Sequence, residues 1–289
     1  MNQASQYLLK LAKQKLQAYT IHSNAKAAMI TGSTATGQAD YYSDVEMFIY
    51  YDKLPSKQEL QIARQQNQGS QPIRTFEDEE QRFFGEFYYI NNVQFQVGNS
   101  TIKFWEEEEM ATVLEKLDVT SAAQKALLGM LECIPVYGDE LILQWKRQIA
   151  DYPDALARKM VEHYLNFFPL WAVKEHLAAR DTTLFQHQIR LEAGQNLLGV
   201  LAGLNRLYYS TFQLKRMKQF IEQMRIAPQD LYLRLETIYR QEPLAVTDLL
   251  KKLIAETAEL VELHLPVIDT SKVRQSLERQ PYTWTPKTD

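Results

Sequence analysis

The sequence predicts an α+β protein of two domains: a small mixed-sheet domain over residues 1–120, then an all-helical domain over residues 121–289 that ends in a tail. Two observations predict the sheet. Apolar runs at 27–30 and 45–50 flank a glycine-containing turn, and residues 82–97 are rich in Phe and Tyr with strand-like alternation. A third predicts the helices: from Thr101 onward the apolar spacing turns helical and stays so. The length of 289 residues, with 45% hydrophobic and 24% charged, suits a globular chain with room for one large or two ordinary domains.

Residues 2–20 carry Leu8, Leu9, Leu11, Ala12 and Leu16 among Gln and Lys, the pattern of an amphipathic helix. Pro55-Ser56 ends the second strand and caps a charged helix over residues 57–66, and residues 65–71 form a polar loop. The pair Asn91-Asn92 sits between two strand-like runs, and because Asn tolerates positive φ this predicts a two-residue hairpin turn. That register places Val93, Phe95 and Val97 on the core face, opposes Gln96 to Phe87 and Glu86 to Val97, and so turns Glu86 away from Gln96. Helices are expected over 111–117, 122–134 (ended by Pro135), 140–149, 154–179 and 231–265, the last interrupted near Pro243. Residues from Leu191 onward read as one helix, whose continuity would align Leu197, Leu201, Leu204, Tyr208, Phe212 and Lys215 on one face. The tail past Pro266, with Pro281 and Pro286, reads as a strap or disorder.

Chemistry concentrates between the first two strands. Asp44 and Glu46 stand two apart on a predicted strand, so both carboxylates project from one face while Val45, Met47 and Ile49 project from the other. A pair of hard oxygen donors suits Mg²⁺, which takes one or two carboxylates and completes its shell with water and substrate phosphates. Gly32 permits a tight turn and close backbone approach, while Ser33 and Thr34 bring hydroxyls and backbone N–H groups to a helix start. Together these residues make a place for a nucleoside triphosphate.

Gly32-Ser33, a spacer and Asp44-x-Glu46 followed by apolar residues resemble the signature of the nucleotidyltransferase superfamily that includes DNA polymerase beta and the antibiotic nucleotidyltransferases. The resemblance covers roughly residues 1–120 and implies Mg²⁺-dependent transfer of a nucleoside monophosphate, AMP from ATP, onto a small-molecule hydroxyl, an antibiotic-like acceptor among the candidates. It implies a site between the two domains, with Asp44 and Glu46 as metal ligands and Gly32, Ser33 and Thr34 on the phosphates. In the family a later strand brings a third carboxylate, often assigned as the base. Strand position puts Gln96 there, and Gln takes no proton. The base then comes from the run Glu106–Glu109 or from the second domain, or the acceptor needs none, or the chain binds nucleotide without turnover. The run itself also reads as a solvated helix face. The segment 204–209 followed by Lys215 is similar to a patch in the helical domains of bacterial small-molecule nucleotidyltransferases. That likeness places Asn205, Tyr208 and Lys215 near the nucleotide; a packed helix with one snorkelling Lys is the competing reading.

The remaining features narrow the classes. A net charge of −4 and the lack of a basic, aromatic-interleaved stretch disfavour long nucleic acid as partner. Cys133 is the single cysteine, so no intrachain disulfide forms, and its apolar neighbours suggest a buried thiol. The five histidines, His22, His163, His176, His187 and His264, show no zinc spacing. No apolar run approaches the ~20 residues of a membrane span, and the first residues lack the apolar core of a signal peptide, so a cytoplasmic protein is expected.

Overall fold

The computed structural model describes residues 1–21, 24–120, 122–178 and 180–278. It divides into two compact units, 1–152 and 153–289. The first holds a six-stranded mixed sheet, and the described part of the second holds helices without strands. The chain is an α+β protein.

The sheet runs β3 (Arg74–Glu77), β4 (Phe83–Ile90), β5 (Val93–Thr101), β2 (Val45–Tyr51), β1 (Ala25–Thr31) and β6 (Ile134–Tyr137) across its width. Only the β2–β5 pair is parallel; the other neighbours are antiparallel. Asn91 and Asn92, at φ of 48° and 65°, make the two-residue turn between β4 and β5. The ladder opposes Phe87 to Gln96 and Glu86 to Val97, the register the turn predicts.

One face of the sheet is closed by helices α1 (Gln3–Thr20) and α3 (Lys57–Gln66). Asn2 caps α1, its Oδ1 accepting from the Ser5 N–H at 2.8 Å, and Ser56 with Glu59 forms a reciprocal capping box on α3. Leu8, Leu11 and Leu16 of α1 and Leu60 of α3 meet Val45, Met47, Ile49, Phe95 and Val97 in one continuous core. Burying such side chains is worth about 1.5–3 kcal/mol each, so the period-two alternation of β2 and β5 settles which face becomes core.

The boundary expected near residue 120 lies inside the first unit. The helix Ala123–Glu132 stops at Cys133, Ile134–Tyr137 pairs with β1 as an edge strand, and the helix Asp139–Ala150 follows within the unit. β3 was not expected either; all four of its residues are exposed, which leaves no apolar pattern to read.

In the second unit the helix Thr183–Leu204 packs on Asp154–Tyr164 and on Thr247–His264. The helix expected over 154–179 breaks after Tyr164 and resumes at Leu170. The interruption near Pro243 falls between Leu231–Arg240 and Thr247–His264. Of the tail, Ser271–Leu277 is a helix; residues 279–289 and His22 lie outside the described residues. No helix among the described residues is long and apolar enough to cross a membrane.

Candidate functional site

β1 ends at Thr31, and the chain enters α2 (Gly32–Ala35), a single helical turn. Gly32 sits at φ 67°, and a Cβ there would run into the Glu46 carboxylate. The left-handed backbone favours glycine, and the missing side chain lets the Glu46 carboxylate lie close against the turn. Thr31 is the cross-strand partner of Glu46, which is why the carboxylate lies against the turn. The Thr31 hydroxyl donates to the Gly129 carbonyl at 2.8 Å, tying the end of β1 to the helix Ala123–Glu132.

The loop back to β2 is fastened at two points. Ser5 accepts the Ala39 N–H at 2.9 Å while Asn2 donates to the Ala39 carbonyl at 2.8 Å, so the start of α1 anchors it. The Thr34 hydroxyl donates to the Asp44 carbonyl at 3.3 Å, fixing the turn to the backbone of the first acid. Thr34 is fully buried, so its hydroxyl holds the turn together and is closed to ligands. The Ser33 side chain is half-buried. Asp40 closes a tight turn by accepting from the Tyr42 N–H at 2.9 Å and the Ser43 hydroxyl at 3.0 Å, which leaves Tyr41 and Tyr42 93% and 99% exposed just ahead of Asp44.

Asp44 precedes the first residue of β2, and Glu46 is its second, so the two carboxylates share the sheet face opposite α1 and α3. Gln96 is the parallel-strand partner of Glu46, and its Nε2 donates to Asp44 Oδ2. The structure therefore brings Gly32, Asp44, Glu46 and Gln96 together. The donor set is hard oxygen on a half-buried face, which fits Mg²⁺ completed by phosphate and water. Among the described residues no group of three or more His, Cys, Asp or Glu gathers as a metal site.

Glu86, turned away by the register, is 1% exposed on the other face of the sheet. Arg64 of α3 pairs with its Oε2, Tyr19 of α1 donates to its Oε1 at 3.1 Å, and the Tyr88 hydroxyl stands 2.9 Å from that of Tyr19. Burial pushes the Glu86 carboxyl up from its ordinary value, against the pull of Arg64. Sequence reading missed Arg64, because only the packing of α3 on the sheet makes it a partner.

The acidic run adopts a π-helix, Trp105–Met110, and is only partly the solvated face that spacing suggests. Trp145 Nε1 donates to Glu106 at 2.9 Å, Lys103 lies 3.9 Å from Glu107, and Arg82 lies 3.4 Å from Glu108. Burial, and then the neighbouring Glu108, raise the Glu109 carboxyl.

The second-unit candidates fare differently. The helix expected to run on to Lys215 stops at Leu204. Arg206 takes a left-handed conformation (φ 54°), the Leu207 N–H donates to the Ala202 carbonyl at 2.9 Å and the Arg206 N–H to Gly203 at 3.2 Å, a Schellman ending that no glycine announces. Tyr208, Phe212 and Lys215 thus fall off the helix whose face was to align them. Asn205 uses both ends of its amide on backbone: it donates to Leu201 and Ile226 carbonyls at 2.7 and 2.8 Å and accepts from the Arg225 and Ile226 N–H groups at 2.7 and 2.9 Å. It staples a loop. Tyr208 is 2% exposed, and Lys215, in a short 3₁₀ helix, stands 5.4 Å over the Phe212 ring.

A cleft of about 470 Å³ opens at the other end of β2, beyond Asp52, and includes neither acid. Of the cations that line it, Lys57 pairs with Glu77 and Arg82 with Asp78 and Glu80. Burial pushes the Cys133 thiol up to about 11, consistent with an inert side chain.

No family model matches this chain, and no curated protein matches it. Among solved structures it is similar to a nucleotidyltransferase-like protein from Exiguobacterium sibiricum 255-15, with 10% identity over 96% of this chain and 81% of that one and a TM-score of 0.37. A likeness that faint carries no argument.

Proposed function

We propose that this chain is a Mg²⁺-dependent nucleotidyltransferase that moves a nucleoside monophosphate, AMP from ATP, onto a hydroxyl of a small molecule, antibiotic-like acceptors included. One observation carries the reading: Asp44 and Glu46 converge on one sheet face against the Gly32-Ser33 turn, whose left-handed backbone at Gly32 favours glycine and lets the Glu46 carboxylate lie against it. Asp44 and Glu46 would hold Mg²⁺, which when bound neutralises triphosphate charge. The N–H groups of the first turn of α2 have no acceptor within the helix and, with the Ser33 hydroxyl, would receive phosphate oxygens. Gln96 holds Asp44 in place by donating to it. Phosphoryl-type transfer is mostly positioning and charge neutralisation, so these parts supply most of what the reaction needs.

Gln96 favours a second reading. Its amide stands beside the acids where the family's strand brings a carboxylate, and it cannot take a proton from an attacking hydroxyl. The chain would then bind nucleotide without turning it over. Titration calorimetry with ATP, GTP, CTP and UTP, with and without Mg²⁺, followed by pyrophosphate release against pooled hydroxyl acceptors, separates the two. Mg²⁺-dependent binding with release establishes the transferase, binding without release the second reading, and no binding removes both.

A further inference from the structure

The row of the sheet that holds Glu46 continues outward, and its chemistry changes in a defined order. Across the ladder Thr31, Glu46, Gln96, Phe87 and Arg74 are successive partners on β1, β2, β5, β4 and β3, so their side chains share one face. The adjacent row adds Phe76, whose ring lies over Gly85 and stands 5.6 Å from Phe87, and Phe48, whose ring lies over Gly98. On the other side, Tyr89 follows Phe87 along β4. Phe76 and Tyr89 remain 43% and 44% exposed. Arg74 is exposed and makes no ion pair among the described residues, whereas Arg64 and Arg82, also in this unit, are both paired.

We propose that this row is the acceptor subsite, and that it takes a hydroxylated aromatic carboxylate: ring on Phe87, Phe76 and Tyr89, carboxylate on Arg74, hydroxyl toward Asp44 and Glu46. The proposal rests on the transferase reading of the acids. The row reads as metal site, neutral amide, aromatic surface, cation. A ligand complementary to it places its reacting oxygen at the acidic end, a flat apolar body in the middle and an anion at the far end. From Glu46 to Arg74 is three strand spacings, about 14 Å, so hydroxyl and carboxylate are separated by less than that. A planar guanidinium grips a carboxylate with two parallel hydrogen bonds, which an ammonium cannot do. The arrangement excludes polycationic acceptors, because Arg74 repels them where the apolar body ends.

The test uses the full chain and separates this proposal from the transferase reading by titrating acceptor and nucleotide independently. Calorimetry with 4-hydroxyphenylacetate and a series of longer 4-hydroxyaryl carboxylates is compared with their methyl esters, with aryl phosphates of matched length and with an amino sugar, and MgATP is titrated alone. The expected result is binding of at least one carboxylate, weakened tenfold or more in its ester and in Arg74→Glu, and partly kept in Arg74→Lys. Loss of tight MgATP binding would remove the transferase reading. Equal binding of ester and acid, preference for the phosphate or the amino sugar, or no effect of Arg74→Glu would overturn the subsite. Arg74 is exposed and makes no ion pair among the described residues, so its variants fold. Phe87→Ala gives a second check, with the carboxylate weakened and MgATP unchanged. A dimer of the wild-type chain in sedimentation that Arg74→Glu dissolves would show instead that the row seats a second copy, and would overturn the proposal.

Discussion

The two faces of the sheet each carry carboxylate, and they treat it oppositely. On the α1 and α3 face Glu86 is buried, paired with Arg64 and hydrogen-bonded by Tyr19. On the other face Asp44 and Glu46 are half-buried, and the neighbour they meet across β5 is a neutral amide. Strand parity alone separates them: Glu86 lies one position from Phe87, the residue opposite Gln96, and that single step moves it through the sheet. A carboxylate enclosed with its cation is part of the fold, whereas the half-buried Asp44 and Glu46 gather two hard oxygen donors on one face, an arrangement that suits a divalent cation.

Removing each set of side chains in turn should separate the two faces. Asp44→Ala with Glu46→Ala should abolish Mg²⁺-dependent triphosphate binding in calorimetry while the urea midpoint stays near that of the wild type. Unchanged affinity would remove the site. Arg64→Met should do the reverse. Leaving Glu86 buried without its cation costs about 3–5 kcal/mol, read as a lowered urea midpoint with nucleotide affinity retained under folding conditions. Replacing both partners with Arg64→Met and Glu86→Leu should recover much of that loss. A double variant no better than the single one would show that Tyr19 and Tyr88 depend on the carboxylate.

Gln96→Glu gives the site face a third carboxylate where the ladder already places a side chain beside Glu46. A positioned base contributes about 10²–10⁴ in rate, so pyrophosphate release should rise by about 10² or more. An unchanged rate would mean that the proton leaves by another route. Gly32→Ala is smaller: the left-handed backbone costs an L-residue about 1–2 kcal/mol, and the methyl displaces Glu46. A weaker nucleotide affinity accompanied by a shallow fall in stability is expected, and calorimetry beside a urea titration reads both.

Much of this was legible because local chemistry specified it. The Asn91-Asn92 turn fixed the register, and with it the parity of Gln96 and Glu86; the Ser56 cap fixed α3; Gly32 announced a turn whose left-handed backbone favours glycine. What stayed hidden depends on packing between distant segments. Ile134–Tyr137 contains Pro135 and follows a helix, so nothing local marks it as a strand until β1 offers an open edge. The helix end at Leu204 falls on Arg206, a residue that seldom takes the left-handed conformation. Arg64 gains its meaning from the packing of α3 on the sheet, and Arg74 and β3 gain theirs from the strand order.

The acidic π-helix tests the boundary between the two treatments of charge. Glu109 is half-buried and makes no ion pair among the described residues, and its carboxyl is raised by burial and then by Glu108. A carboxyl raised in the folded state binds its proton more tightly there than in the unfolded chain. Its contribution to stability is therefore complete below the unfolded value near 4.3 and is lost as pH rises through the folded value. Glu109→Gln removes that loss. The variant should gain in urea midpoint over the wild type at pH 7, and the gain should shrink at pH 4, where the wild-type carboxyl holds its proton. Glu108→Gln gives up a partly exposed contact with Arg82, which Asp78 and Glu80 also hold, and relieves the repulsion on Glu109, so its gain at pH 7 should be smaller than that of Glu109→Gln. Equal responses from the two glutamates would show that enclosure does not distinguish them, and that the run is one solvated face.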